Sequence, residues 1–327
     1  MKRHPLSIIE IEHSEPPRKP DKISKRREVE GHFETLWRTD PQMFNPLRNA
    51  KERERINRSL NFLEPKKSHD KIKAVDLGCG EGVFAKRLLE KEGYEVLGVD
   101  CANIALKKLM EDYKGDFLAA KNDCMPNTTL EDDAFDLVIS LDLLAYLKPD
   151  EYRLFFNEIA RIMKKDAKTL ISTPIDFRSE NALQKFIELA KTELEIEKME
   201  LSHFSYYIKL KDIFRAPKRF YESSKSPLIR KKALSSRSGL LKKWFQLNST
   251  SFLGPIWKLI SFATSPIASS IDQNHWLLLK LEKLAKFLNS ENTVSHAIIL
   301  AKRKLLFDEE PYLPKTIERK GKRQIWE

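Results

Sequence analysis

The chain has 327 residues, 41% of them hydrophobic and 33% charged, with a mean hydropathy of −0.49. These values exclude a polytopic membrane protein and suit one large folded domain, or a domain carrying a sizeable insertion. A net charge of +11 favours anionic partners, whether nucleic acid, an acidic membrane face or an acidic substrate, without choosing among them.

Residues 1–30, beginning "MKRHPLSIIEIEHSEPPRKPDK", have no apolar core of secretory length and read as a disordered basic arm. The three cysteines, Cys79, Cys101 and Cys124, follow no zinc spacing, and an odd count points to a reducing, cytoplasmic setting. No metal site is expected. Residues 31–202 form the expected core. A helical pattern covers His32 to Phe62, and then strands and helices alternate. "IKAVDLG", "YEVLGVD", "DFLAAKND", "AFDLVISLDLL" and "KTLISTPID" read as strands; "GVFAKRLLEKEG", "NIALKKLMEDY" and "DEYRLFFNEIARIMKK" read as the helices among them. Apolar strands alternating with amphipathic helices predict an α/β, Rossmann-like, doubly wound and mostly parallel sheet of seven strands. "ENALQKFIELAK" (helix), "ELEIEKMEL" (strand) and a late strand, "SHAIILAKRK" within residues 293–304, complete it. Residues 305–327 read as an extended strap.

Between the last two strands lies a long basic and aromatic insertion, residues 203–292. Within it, residues 211–244 hold eleven Lys or Arg against Asp212 and Glu222, a net +9. "SFLGPIWKLISFATSPIASSI", Ser251 to Ile271, carries Pro255, Lys258 and Pro266 and reads as broken amphipathic structure rather than a membrane span. "LLLKLEKLAKFL" reads as an amphipathic helix. Three readings stay open for the insertion. It is a helical lid with solvated lysines, a lid that also touches an anionic membrane or an apolar substrate, or a nucleic-acid surface.

Three of the chain's ten glycines, Gly78, Gly80 and Gly82, fall in "VDLGCGEG". Glycines at a strand-to-helix turn let a ligand lie against the backbone, and the helix behind presents unpaired N–H groups. The order is G-x-G-x-G, not the G-x-G-x-x-G of a dinucleotide fingerprint, which disfavours a nicotinamide dehydrogenase. The acid closing the strand, Asp76, suits an amine and a sulfonium better than a pyrophosphate. Asp100 ends the next strand, where a carboxylate can accept both hydroxyls of an adenosine ribose. Asp123 ends the third, within reach of an adenine edge. Each has a plainer alternative: a tight turn for the glycines, a helix N-cap for Asp100, a turn residue for Asp123 and apolar filler for the cysteines.

"VDLGCGEG", "GVD" ending at Asp100, "ND" at Asp123 and "FDLVISLDLLAYL" together resemble the class I S-adenosylmethionine-dependent methyltransferases, in the broad small-molecule group. The resemblance covers about Lys71 to Pro174 and the strand near residue 300. It implies S-adenosyl-L-methionine as cofactor. Asp76, Gly78, Cys79, Gly80 and Gly82 would hold its methionine part, Asp100 the ribose, and Asp123 with Cys124 the adenine, with Cys101 also counted among the cofactor-binding residues. Ser140 to Tyr146, including Leu141, would floor the site. The Pro-Gly-Gly turn frequent in the family reads "KKDAK" here, away from the cofactor. Tyr146, His32 and His203 are the candidate catalytic residues, each with packing as its alternative reading. The expected function is methyl transfer to a small-molecule or lipid-like acceptor. An RNA or protein methyltransferase and a non-catalytic cofactor-binding module are the alternatives; the "NPPY"-type signature of the former is replaced by "SLDLLAY".

Overall fold

The computed structural model describes residues 22–64, 71–235, 237, 239–288 and 293–304. Seven strands form one sheet: β1 (Ile72–Leu77), β2 (Tyr94–Asp100), β3 (Leu118–Asn122), β4 (Phe135–Leu141), β5 (Met163–Pro174), β6 (Leu194–Ser202) and β7 (His296–Arg303). Their spatial order is β3-β2-β1-β4-β5-β7-β6. The first five run parallel, and β7 pairs antiparallel with both β5 and β6.

The strands are apolar at successive positions because both faces are covered. Ala74, Ile139, Leu170 and Ile298 join one apolar cluster, while their neighbours Val75, Val138, Ile171 and Ile299 join the other. Side chains alternate across a strand, so a sheet buried on both sides needs apolar residues at both parities. One face is packed by α2 (Ala50–Asn61), α3 (Val83–Leu89) and α4 (Asn103–Asp112), the other by α5 (Tyr152–Ile162) and α6 (Ala182–Glu193). The helix expected through Lys165 ends at Ile162, because Lys164 and Lys165 already belong to β5.

At the amino end, α1 spans Lys22–Thr39. Residues 22–30, expected to belong to a disordered arm over 1–30, are helical, and residues 1–21 lie outside the described part. So does the strap over 305–327. Between β6 and β7 run α7 (Ser205–Lys225), α8 (Pro227–Ser235), α9 (Gly239–Asn248), α10 (Gly254–Gln273) and α11 (His275–Leu288). The segment expected to be broken by its prolines is mostly one helix. Pro255 sits in the first turn of α10, where no intrahelical N–H bond is lost, and α10 continues through Pro266. Phe204, Tyr207, Ile271 and Leu278 make a small core with Ala50 of α2, and Tyr207 Oη donates to the Ile271 carbonyl at 2.6 Å. The insertion is fastened to the domain by a buried ion pair: Arg58 of α2 donates from Nη1 and Nη2 to the two oxygens of Glu282 at 2.9 and 2.6 Å.

Candidate functional site

The strand order reverses between β1 and β4, the position where ligands bind in open parallel sheets. A cavity of about 680 Å³ lies there. It brings together Asp76, Gly78, Cys79 and Gly80 from the end of β1, and Asp100 and Cys101 from β2. Asp123 and Cys124 follow β3, and Leu141 and Tyr146 come from the end of β4 and the turn after it.

The glycine loop is tied to β2. Gly80 N donates to Asp100 Oδ2 at 2.9 Å, and Ala102 N donates to Oδ1 at 2.8 Å. Both oxygens of Asp100 are thus held by backbone N–H groups at the cavity wall. Gly80 has φ +56, and a Cβ there would come within 3.1 Å of the Trp37 ring, so glycine lets the indole lie on the loop. Gly82 has another task. It is not among the cavity's lining residues; at φ +72 its missing Cβ leaves room for Leu109 Cδ1 of α4. Its missing side chain serves helix packing.

Asp76 is 3% exposed, and its Oδ2 has no hydrogen-bond partner. Burial, and then the charge of Asp100, push its carboxyl up to about 7. Burial also raises the Asp100 carboxyl, against the backbone N–H groups that stabilise its charge. Asp123 lines the cavity but also builds the turn behind it: Oδ1 accepts from Cys124 N, and Oδ2 accepts from Thr129 N and Oγ1 at 2.7 Å each. The turn reading and the lining reading both hold for it. The three cysteines are free thiols. The hydrogen bond with Cys124 and burial raise the Cys101 thiol, and burial raises that of Cys79, so neither is a thiolate at neutral pH.

Of the candidate catalytic residues, His32 and Tyr146 face the cavity, with Phe33 between them: its ring centroid is 5.5 Å from His32 and 5.8 Å from Tyr146. His203 does not. It is buried in the base of the insertion, with Nδ1 2.9 Å from Thr293 Oγ1 and its backbone N–H donating to Glu282. Its part is structural. The cover is also differently built from the lid expected over 203–292. All cavity-lining residues fall between Glu28 and Glu151, and α1 with the segment to Pro46 supplies the roof, where Trp37 stacks on Phe44 at 4.9 Å.

A buried charged group at the cavity wall was not singled out from the sequence. Asp142, at φ +63 just after β4, forms an ion pair with Arg55, whose Nε lies 3.1 Å away while donating to Glu52 Oε2, and accepts from His296 Nε2 at 2.7 Å. Burial pushes the Asp142 carboxyl up, but Arg55 and His296 outweigh it and hold the group well below the usual carboxylate range. Burial lowers the His296 imidazole, against the Asp142 carboxylate, which raises it. Arg55 Nη1 has no partner. A buried face repeating Glu52, Arg55 and Arg58 at helical spacing was the available signal; which carboxylates it would meet lay in distant sequence.

Residues 74–166 match the family described as "Methyltransferase domain". The chain is 26% identical over 137 residues to the "Ubiquinone biosynthesis O-methyltransferase" of Pelagibacter ubique (strain HTCC1062), an alignment covering 40% of this chain and 53% of that relative. It thus spans about half the length of this curated relative. Among solved structures, phosphoethanolamine N-methyltransferase 2 of Haemonchus contortus aligns at 18% identity and TM-score 0.43, over 77% of this chain and 53% of that one. The geranyl diphosphate C-methyltransferase of Streptomyces coelicolor A3(2) aligns at 13% identity and TM-score 0.43, covering 77% and 81%. With the acid-closed glycine loop, the strand order and the family match over residues 74–166, the chain carries a class I S-adenosylmethionine-dependent methyltransferase domain.

Proposed function

We propose that this protein moves a methyl group from S-adenosylmethionine to a small-molecule acceptor, with donor and acceptor held in the cavity at the ends of β1, β2 and β4. The observation that carries this is the pair of carboxylates there: Asp76, with a buried unpartnered oxygen, and Asp100, fixed at the cavity wall by the glycine loop. The first fits an ammonium and the second a vicinal diol. When bound, the cofactor supplies a methyl group already activated on a sulfonium, whose leaving thioether is neutral.

The protein's own work is then positioning and exclusion of water. Asp76 accepts from the amino group, Asp100 from the ribose hydroxyls, and Cys101, Asp123 and Cys124 bound the adenine end. Trp37, Phe33 and Phe44 close the roof. Asp142, kept ionised by Arg55 and His296, is too weak a base to take a proton near neutral pH. It orients a hydroxyl or cationic acceptor instead. Tyr146 and His32 remain the groups able to exchange a proton with that acceptor. A hydroxyl acceptor agrees with the O-methyltransferase named for the Pelagibacter relative.

Calorimetry tests the reading. S-adenosylmethionine and its demethylated product should bind and raise the melting temperature with concentration, and NAD should do neither. Labelled S-adenosylmethionine incubated with a metabolite extract should then pass its label to a small molecule. Binding of NAD alone, or label arriving only on RNA or protein, would overturn the proposal.

A further inference from the structure

From Ser223 to Ile271 the sequence runs 49 residues with eight Lys or Arg and no Asp or Glu. In this segment the usual sorting of side chains is inverted. The buried residues of α10, which packs mainly on α7, are Gly254, Ser261, Ala268 and Ile271, while Ile256, Leu259, Ile260 and Ile267 are exposed. Helix α9 buries Phe245 and turns Leu240, Leu241, Trp244 and Leu247 outward. Leu240 is 83% exposed, and Phe252, in the connection to α10, is 87% exposed. So many large apolar side chains exposed in one segment mark an interaction site. Lys231, Lys232, Lys242, Lys243 and Lys258 are exposed among these residues.

Beside them, a hollow of about 530 Å³ lies between the end of α7, α8 and α9. Arg230, Lys231 and Lys242 line it, together with the hydroxyl side chains of Ser223, Ser224 and Ser251. Arg230 donates from Nη2 to the Gln246 carbonyl, but its buried Nε has no partner. An unpaired donor among cations and hydroxyls suits an anionic oxygen.

We infer that α8, α9 and α10 dock this protein on the surface of an anionic phospholipid bilayer, with Leu240, Leu241 and Phe252 entering the acyl boundary and a headgroup phosphate received beside Arg230. Both halves of an interfacial site are present, bulky apolar side chains and a basic flank. No helix among the described residues is long and apolar enough to cross a membrane, so the contact is peripheral. A second copy is a poor occupant, because an isologous contact would set this carboxylate-free surface against itself, cation to cation. RNA is a poor one as well, because most of the exposed apolar residues are aliphatic and offer no flat ring on which a base could stack.

The test is co-sedimentation of the full chain with vesicles. Phosphatidylcholine vesicles containing phosphatidylserine should retain it at least ~10-fold better than phosphatidylcholine alone, and raising salt from about 0.1 to about 0.5 M should reverse most of that gain. Lys242→Glu with Lys243→Glu should abolish the preference for acidic lipid. Leu240→Ser with Phe252→Ser should cut retention severalfold. All four side chains are exposed, so unchanged melting temperatures should accompany both losses. Equal retention on neutral and acidic vesicles, no retention at all, or retention of RNA instead would overturn the inference. So would a dimer in sedimentation equilibrium that Leu240→Ser with Phe252→Ser dissolves. Calorimetry with S-adenosylmethionine on the same samples reports separately on the methyltransferase reading, which this inference does not need.

Discussion

Phe156 and Phe252 are the same residue in opposite settings. Phe156 has no exposed surface and packs between α5 and the sheet, edge to face with Phe155 at 5.1 Å; Phe252 stands 87% exposed beside the lysines of the insertion. Charge divides the same two regions. Asp76, Asp100, Asp123 and Asp142 converge on one cavity, whereas residues 223–271 contain no carboxylate. An acidic, enclosed pocket holds cations and polar hydrogen-bond donors; a basic, outward-facing apolar surface meets an anionic one. One chain thus keeps an acidic cavity apart from a basic, apolar outer face, and Arg58 with Glu282 joins the two regions.

Breaking that joint should have one of the two largest effects. Arg58→Ala leaves Glu282, 4% exposed, with only Lys286 at 3.5 Å and the His203 N–H as partners, and should cost about 3 kcal/mol of stability in urea unfolding. Arg58→Met combined with Glu282→Leu should recover most of the loss. Phe156→Ala should cost about as much, roughly 3–5 kcal/mol, by opening a cavity in the sheet core.

At the acidic cavity, Asp100→Ala should weaken S-adenosylmethionine binding by about 2–4 kcal/mol, the worth of two charge-assisted hydrogen bonds, while Asp100→Asn should weaken it less. Unchanged affinity in calorimetry would reduce Asp100 to a support for the loop.

The pH dependence of Asp76 sharpens the electrostatic contrast. Its carboxyl is raised in the folded chain from 3.8 to about 7, so the folded state keeps a proton that the unfolded state releases. Its contribution to ligand-free stability is full below about pH 4 and is lost as pH rises to about 7. A ligand ammonium needs the ionised form, so affinity should fall by up to about tenfold per pH unit below 7, roughly 1.4 kcal/mol each. Titrations from pH 5 to 8 check this, and Asp76→Asn should flatten both slopes.

The smallest effect belongs to the outward face. Phe252→Ser should change stability by no more than about 0.5 kcal/mol, against the several lost at Phe156, because its ring is already in water. A larger loss by thermal melt would mean that the ring is packed and would remove it from the docking surface.

Much of the sheet was legible because its physics is local. Alternating faces forced apolar residues along "AVDL", "DLVISL" and "AIIL", and the amphipathic helices between them gave the parallel connections. The glycine loop and the acids at strand ends were legible for the same reason: turn geometry and strand termini are written within a few residues. Helix boundaries were less so. Lys164 and Lys165 continue the charged end of α5 in sequence, yet they belong to β5. Pro266 reads as a breaker, yet packing of α10 on α7 carries the helix through it.

What the sequence alone determined, then, was a doubly wound domain with an acid-closed glycine loop, and a basic insertion before the last strand. Tertiary structure decided which residues meet. Arg55, Asp142 and His296 lie on α2, the turn after β4 and the start of β7, and no spacing rule links positions so far apart. Gly82 was told from Gly80 only by Leu109, which arrives from the next helix. Tertiary structure also put α1 over the cavity and His203 away from it. Whether a hydrophobic side chain is core or surface depends on what the rest of the chain brings to its side. That is how Phe156 and Phe252, alike in sequence, came to opposite places.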